Sequence, residues 1–442
     1  MDNKRMKRFN KTFPWFSGLS GDLLFWFAID TLFLKIVKGF NPAQIVSLTS
    51  ISLIVVICLQ MPLLKIIKKI GNTNSVRLSA FLLLLSSILI TFGGNYFIIV
   101  LGKIFYEIAF TFQDIANAIL KNNLEMQNRS NEYIKVKTKA STIYATATML
   151  ISFIASIVFN FNNYLPMILC IICCLICFIL SFNIVDFSNY NKVEIKMTKR
   201  KVKYSKLIVV LIISYALFMG AIKCGQTNGK LFIQEELFKN FNVENTALIL
   251  GAIVLVSRLA RVFANLCFNK IYNRFKEKVE IILPLFLSIS LTLMIIGSFI
   301  TSSLILKFTI IGLGYITILF IRDPFKVYMQ DLALKNIEPE YQQTLITTME
   351  TSRKTIYAIL STIVTLILVD SPIILIIFAT LILSIIEILV SIRLYKIIAS
   401  SNVEILVGMN LYKIIVGSKE IQVNNGGKIE NRNYKREIEG TI

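Results

Sequence analysis

Crossing about 30 Å of hydrocarbon takes about 20 apolar residues at 1.5 Å each, and this chain repeats runs of that size, bounded by charges or turn residues, along almost its whole length. In the first half they fall at 14–36, 43–64, 75–93, 96–118, 138–159 and 164–186. In the second half they fall at 205–228, 244–268, 279–300, 303–328, 342–369 and 372–395. A chain of 442 residues could form two or three soluble domains, but 55% apolar residues and a mean hydropathy of +0.69 exclude that reading. The fold class this predicts is an all-α polytopic membrane protein with twelve transmembrane helices.

Lysine and arginine outnumber acidic residues by 47 to 26. In a soluble chain that surplus would suggest nucleic acid; here it sits in short loops between apolar runs, so it reads as a topology signal and no nucleic-acid partner is expected. One set of alternate loops is basic: the N-terminus, Lys65/Lys68/Lys69/Arg77, Lys121 to Lys139, Lys192 to Lys206, and Lys270 to Lys278. The other set is short and nearly free of base, such as 93–95, 160–163, 301–303 and 370–372. Cytoplasmic loops collect Lys and Arg, so both termini are expected in the cytoplasm of a multi-pass inner-membrane protein.

The seven cysteines all lie inside apolar stretches and read as small hydrophobes. Cys170, Cys173, Cys174 and Cys177 have the spacing of a metal site but only apolar neighbours, so no metal is expected. Histidine is absent, which leaves any proton coupling to carboxylates. No phosphate-binding glycine loop occurs, and no cofactor is expected.

The basic segment 189–206 divides the spans six and six. The expected organisation is a cytoplasmic N-terminus at 1–13, a six-helix bundle at 14–188, this linker, a second six-helix bundle at 207–395, and a cytoplasmic tail at 396–442. The segment after 396 is too interrupted to span and is expected on the inner surface. The first span is expected to stay attached, since it is too long for a signal-peptide core. NEY at 131–133 and PEY at 339–341 each precede a polar-started span, an echo that fits a parallel internal repeat.

Twelve spans, both ends inside, a central basic loop and a two-fold repeat together resemble the major facilitator superfamily over about residues 10–395. That resemblance implies two pseudo-symmetric bundles and a glycine- and base-rich signature in the loop between spans two and three. On LKIIKKIGNT, Lys69 and Gly71 match that signature, while Leu64 and Lys68 depart from it. In the corresponding loop after span eight, Lys270 and Arg274 supply the bases and Asn269 stands at the aspartate position.

An ionisable group at membrane depth costs about 2.5–3.5 kcal/mol, so each needs a partner, a watery cavity or a function. Asp22, Trp26 and Asp30 are spaced by fours and share a face of a continuous helix, with Asp22 the candidate coupling carboxylate. Lys103, Glu107 and Asp114 share a face of span four, where Lys103 and Glu107 form either an intrahelical ion pair or a substrate or proton site. Arg258 and Arg261 lie in span eight; Arg258 must face the cavity or pair, for example with Glu350. Asp114 with Arg322 or Arg353 is a candidate inner gate, and Asp30 with Lys223 a candidate outer gate; each of these charges alternatively snorkels to the interface. Trp15, Phe25, Trp26, Phe105, Tyr106 and Tyr215 are the aromatics expected near a cavity.

These residues predict a non-enzymatic, monomeric secondary transporter of a small molecule working by alternating access, with protons as coupling ion and export favoured over uptake. A lipid flippase on the same fold and a membrane-embedded lipid-modifying enzyme are the alternatives.

Overall fold

The computed structural model describes residues 3–113, 115–129, 132–187, 204–275, 278–337, 342–369 and 371–420; the side chains of 3, 134, 138, 265, 268–275, 342–343 and 401–420 lie outside the description. Segment 188–203, which holds most of the linker, and PEY at 339–341 are outside it as well. Every regular element among the described residues is helical.

The first span is broken. Helix α1 (Asn3–Leu19) is followed by a non-helical turn, then α2 (Trp26–Leu32) and a π-helical turn at Phe33–Val37. Helix α1 begins earlier than the apolar run predicts, because Met6, Phe9, Phe13 and Phe16 lie on one face and bury against Val76, Ala80, Ile119 and Leu120. The segment expected as a cytoplasmic terminus is therefore helix from Asn3 onward.

Helix α3 (Pro42–Phe92) carries two spans. At 51 residues it would be about 76 Å long if straight, more than twice the hydrocarbon thickness. It turns back at Gly71, whose φ of 79° and ψ of 168° suit glycine and disfavour any side chain. Lys65, Lys68 and Lys69 are exposed just before this turn. The helix starts on a capping box, with Asn41 and Gln44 exchanging side-chain and backbone hydrogen bonds and Pro42 at the first helical position.

The first half is completed by α4 (Tyr96–Gln113), α5 (Ile115–Met126), α6 (Tyr133–Phe161) and α7 (Leu165–Ser181). Its counterpart contains α8 (Lys206–Phe238), α9 (Val243–Phe275), α10 (Val279–Ser298), α11 (Leu304–Lys335), α12 (Gln342–Ile367) and α13 (Ile374–Glu420). Helix α13 continues as one helix past residue 395, where the sequence predicts an exit from the helical span. Eight of the described helices are long and apolar enough to cross a membrane. Phe97, Leu266, Ile305 and Leu389 are more than half exposed, an arrangement that suits acyl chains and not water.

Within the first half α3 packs on α4 and α7, and α1 on α6; within the second, α8 packs on α12 and α13, and α10 on α11 and α13. The halves meet through two long contacts, α3 with α12 and α6 with α9. These are spans two with eleven and five with eight, and a shift of six spans converts one pair into the other, as a two-fold repeat requires. The α6–α9 contact is close enough that a Cβ at Gly251 would lie 2.2 Å from Ser156 Oγ, so glycine is what lets the two backbones approach. One end of the bundle carries the basic loops and the other the short loops.

Candidate functional site

The break in the first span lies at the middle of the bundle. Ser20 and Gly21 follow α1, and Asp22 projects from the same turn. Gln113 of α4 donates to the Ser20 carbonyl at 2.6 Å and to Ser20 Oγ at 2.7 Å, satisfying backbone that the helix no longer serves. Asp22 Oδ1 accepts from Leu23 N at 2.8 Å and from Tyr106 Oη at 2.7 Å. Non-helical backbone at this depth is tolerated where it is buried in protein or lines a cavity.

A cavity of about 60 Å³ opens beside it, between the halves. The first span contributes Asp22, Phe27 and Asp30; α8 contributes Lys223, Gln226, Thr227 and Lys230; α9 contributes Val254 and Arg258; and α11 contributes Tyr315 and Leu319. Phe27 lies under Arg258, with the guanidinium carbon 4.6 Å from the ring centroid. Arg258 is 7% exposed, its Nε has no hydrogen-bond partner, and it makes no ion pair among the described residues. Lys223 likewise forms no ion pair among the described residues, and it lines the same cavity as Asp22.

Toward the short-loop end, polar pairs join the two halves. Lys230 pairs with Asp30 and donates to the Phe27 carbonyl at 2.7 Å, and Lys35 pairs with Glu235. Gln234 donates to the Thr31 carbonyl at 3.3 Å, and Asn160 to the Glu244 carbonyl at 3.1 Å. Toward the basic end, pairs across the halves between described residues thin to Gln60 with Thr351, at 3.4 Å. The charges there pair within the second half: Arg261 with Asp323 at 2.5 Å, and Glu350 with Lys326 at 2.9 Å and Arg353 at 2.8 Å. Tyr215 adds a 2.7 Å hydrogen bond to Glu350.

No protein-family model matches the chain, and no curated protein matches it. Solved structures do. An inward-facing bacterial homologue of the iron transporter ferroportin is similar over 89% of this chain and 100% of its own, at 15% identity and a TM-score of 0.64. The nucleoside transporter NupG is similar over 88% of this chain and 99% of its own, at 11% identity and a TM-score of 0.65. A bacterial homologue of the human lysosomal transporter Spinster, inward-facing and unoccupied, is similar over 90% of this chain and 98% of its own, at 10% identity and a TM-score of 0.62. The chain shares the fold of these membrane transporters.

In this fold the two loop signatures expected from the sequence differ in how much can be placed. Gly71 forms the turn between spans two and three, and Lys69 is exposed beside it. Where the signature's aspartate is missing, Asp186, after span six, receives hydrogen bonds from Asn72 Nδ2 at 2.7 Å and Asn122 Nδ2 at 3.1 Å, and its own N–H donates to Thr73. A carboxylate distant in sequence thus ties the loop to the basic end of the first half. Lys270 and Arg274 lie on α9, and their side chains are outside the described residues.

Of the expected site residues, Asp22, Asp30, Lys223 and Arg258 come together in the cavity. Trp26 does not: the break abolishes the continuous face on which Asp22, Trp26 and Asp30 would align, and Trp26 is 4% exposed, packed edge-on to Phe33. The aromatics at the cavity are Phe27 and Tyr315 instead. Lys103 and Glu107 form no ion pair; Lys103 sits 4.1 Å over the ring of Tyr106, which draws it away from the carboxylate one turn on. Glu350 is taken by Lys326 and Arg353, so it is not the partner of Arg258. Asp114 lies outside the described residues, and with it the inner gate to Arg322 or Arg353; Arg322 meets Gln226 at 3.3 Å and Asp323 at 3.9 Å.

The outer pair differs from the expected one. Asp30 pairs with Lys230 and not Lys223, because α8 extends to Phe238, ten residues beyond the predicted end of the span at 228, which puts Lys223 at mid-depth. Residues 223 and 230 are seven apart and share a face, so a longer span read from the sequence would have selected Lys230. Glu387 is a second omission: fully buried in α13, it accepts from Ser214 Oγ and Ser391 Oγ, both at 2.7 Å, while its other oxygen has no partner. Its signal was visible as a lone acid in an apolar span.

Proposed function

We propose that this protein is a secondary transporter that moves a small solute across the cell membrane by alternating access of the central cavity. What carries the reading is the placement of that cavity: it lies between two symmetry-related halves, beside a break in the first span, where a rocking motion of one half on the other would expose it to each side in turn. The basic loops assign the basic end to the cytoplasm. With the polar pairs concentrated at the short-loop end, the molecule is then closed to the outside. The ferroportin homologue supports the same assignment, matching with a TM-score of 0.64 in its inward-facing state and 0.55 in its outward-facing state.

Asp22 is the coupling carboxylate in this proposal. It stands at the break, faces the cavity, and has the Tyr106 hydroxyl as its side-chain partner in place of a cation. Protonation would remove a negative charge from a site that also holds Lys223, Lys230 and Arg258. That change favours an anion entering together with the proton, so the cavity supports uptake by symport better than the export that the first-span aromatics suggested. Trp26, one of those aromatics, is packing and not lining.

The test is solute movement in proteoliposomes holding the purified chain, with and without an imposed pH gradient, for the parent and Asp22→Asn. The substitution should abolish gradient-driven accumulation while leaving exchange of the same solute largely intact. Unchanged accumulation would remove Asp22 from the mechanism.

A further inference from the structure

The central cavity has more positive charge than its own carboxylates meet. Asp30 is taken by Lys230, Asp323 by Arg261, and Glu350 by Lys326 and Arg353. That leaves Asp22, held by Tyr106, facing both Lys223 and Arg258, with Arg322 behind them on Gln226. Arginine does not shed its proton in a protein, so burial cannot neutralise Arg258 as it can a lysine or a carboxylate. A buried cation with neither an ion pair nor hydrogen bonds is costly, and Arg258 is 93% buried with the face of Phe27 against it and neither kind of partner among the described residues. Stacking on Phe27 occupies one face of the guanidinium plane and leaves its N–H edge for an acceptor. That edge is a fork matched to two oxygens of one group.

We propose that Arg258 and Lys223 form the recognition site for an oxyanion, the carboxylate or phosphate of a small substrate, with Arg322 adding charge from behind Gln226. This rests on the transport reading only for the movement of the anion, not for its binding. The guanidinium edge of Arg258 takes the oxyanion in two hydrogen bonds and the Lys223 ammonium takes it as a point charge. Thr227 lines the same cavity with a hydroxyl that already receives Tyr357 at 3.3 Å, and it can donate its own proton to the bound group. Both cations come from the second half, while Asp22 faces them from the first, so the anion lies on the seam that must open and close.

The experiment uses the full chain in detergent and measures its thermal midpoint in sodium lactate, in sodium phosphate, in sodium chloride at matched ionic strength, and in uridine as a neutral probe. Lactate or phosphate should raise the midpoint by about 2 °C or more over chloride, the stronger of the two naming carboxylate or phosphate. Arg258→Gln and Lys223→Gln should each remove the response, Arg258→Lys should retain part of it, and Arg258→Gln should be no less stable than the parent without anion, because it removes an unmatched buried cation. No response to either oxyanion, or an undiminished response in both glutamine variants, overturns the proposal, as does a large loss of stability in Arg258→Gln with the response intact in Lys223→Gln. The same probes, radiolabelled, separate this from the transport reading. An Arg258-dependent response with no movement of lactate or phosphate into liposomes leaves the site standing and the transport reading fallen. Movement of uridine without any oxyanion response does the reverse.

Discussion

Replacing Lys230 by glutamine should open the short-loop end of the bundle. The Lys230 side chain is 6% exposed and its partner Asp30 is 22% exposed, so both lie well inside the protein. Removing one member of such a pair costs about 3–5 kcal/mol, because it leaves the other charge buried and uncompensated. The partial exposure of Asp30 argues for the lower figure, about 3 kcal/mol. Opening restores water to Asp30, so that cost bears on the closed state alone. At about 1.4 kcal/mol per tenfold, the closed-to-open ratio should fall by about a hundredfold. The neighbouring Lys35–Glu235 pair remains, but it is more exposed, at 29% and 15%, and holds the gate less strongly.

Spin labels at Gly94 and Ser302, exposed loop positions at the short-loop end on opposite halves, report the change as a longer distance. Cys58, Cys173 and Cys267 must first be replaced, since they are the native thiols that are not buried. Asp30→Asn added to Lys230→Gln should recover much of the closed population by removing the stranded charge. A Lys230→Gln distance distribution that superimposes on the parent's would refute the assignment of this pair as the outer gate.

Two further outcomes bear on the scaffold. Gly71→Ala should lower thermal stability by about 1–3 kcal/mol, since a side chain is forced into a positive-φ turn, whereas Gly94→Ala, with open space around it and no positive φ, should change the melting curve little. Glu387→Gln preserves a carbonyl oxygen for Ser214 and Ser391 and should leave the melting midpoint near the parent's, while Glu387→Ala strands two buried hydroxyls and should cost about 1–3 kcal/mol. A Glu387→Gln variant as damaged as the alanine would show that the charged carboxylate is required there.

How much was legible in the sequence depends on the range of the interaction. Each span is a local property, since about 20 apolar residues suffice to form it, and a helix covers each apolar run, although the first is broken and α1, α8 and α13 run past the predicted ends. The charges facing the cavity were legible as types for the same reason: Asp22, Lys223 and Arg258 stand out because an ionisable residue in an apolar run needs an explanation. Their partners were not. Asp30 selects Lys230 over Lys223 according to where α8 ends in space, and Lys103 selects the ring of Tyr106 over Glu107, a choice between neighbours on one helix that spacing leaves open.

The sequence by itself therefore determined a helical membrane bundle of two halves and the identity of most charges within it, because the bilayer imposes span length and the cost of charge on every local window of the chain. Only the tertiary structure decided that the first span breaks at Asp22, that Asp186 anchors the Gly71 turn from more than a hundred residues away, and that Arg258 is left facing the cavity without an ion pair among the described residues. Those outcomes come from competition among groups brought together by folding, where a single hydrogen bond or ion pair selects one partner from several of equal standing in the sequence.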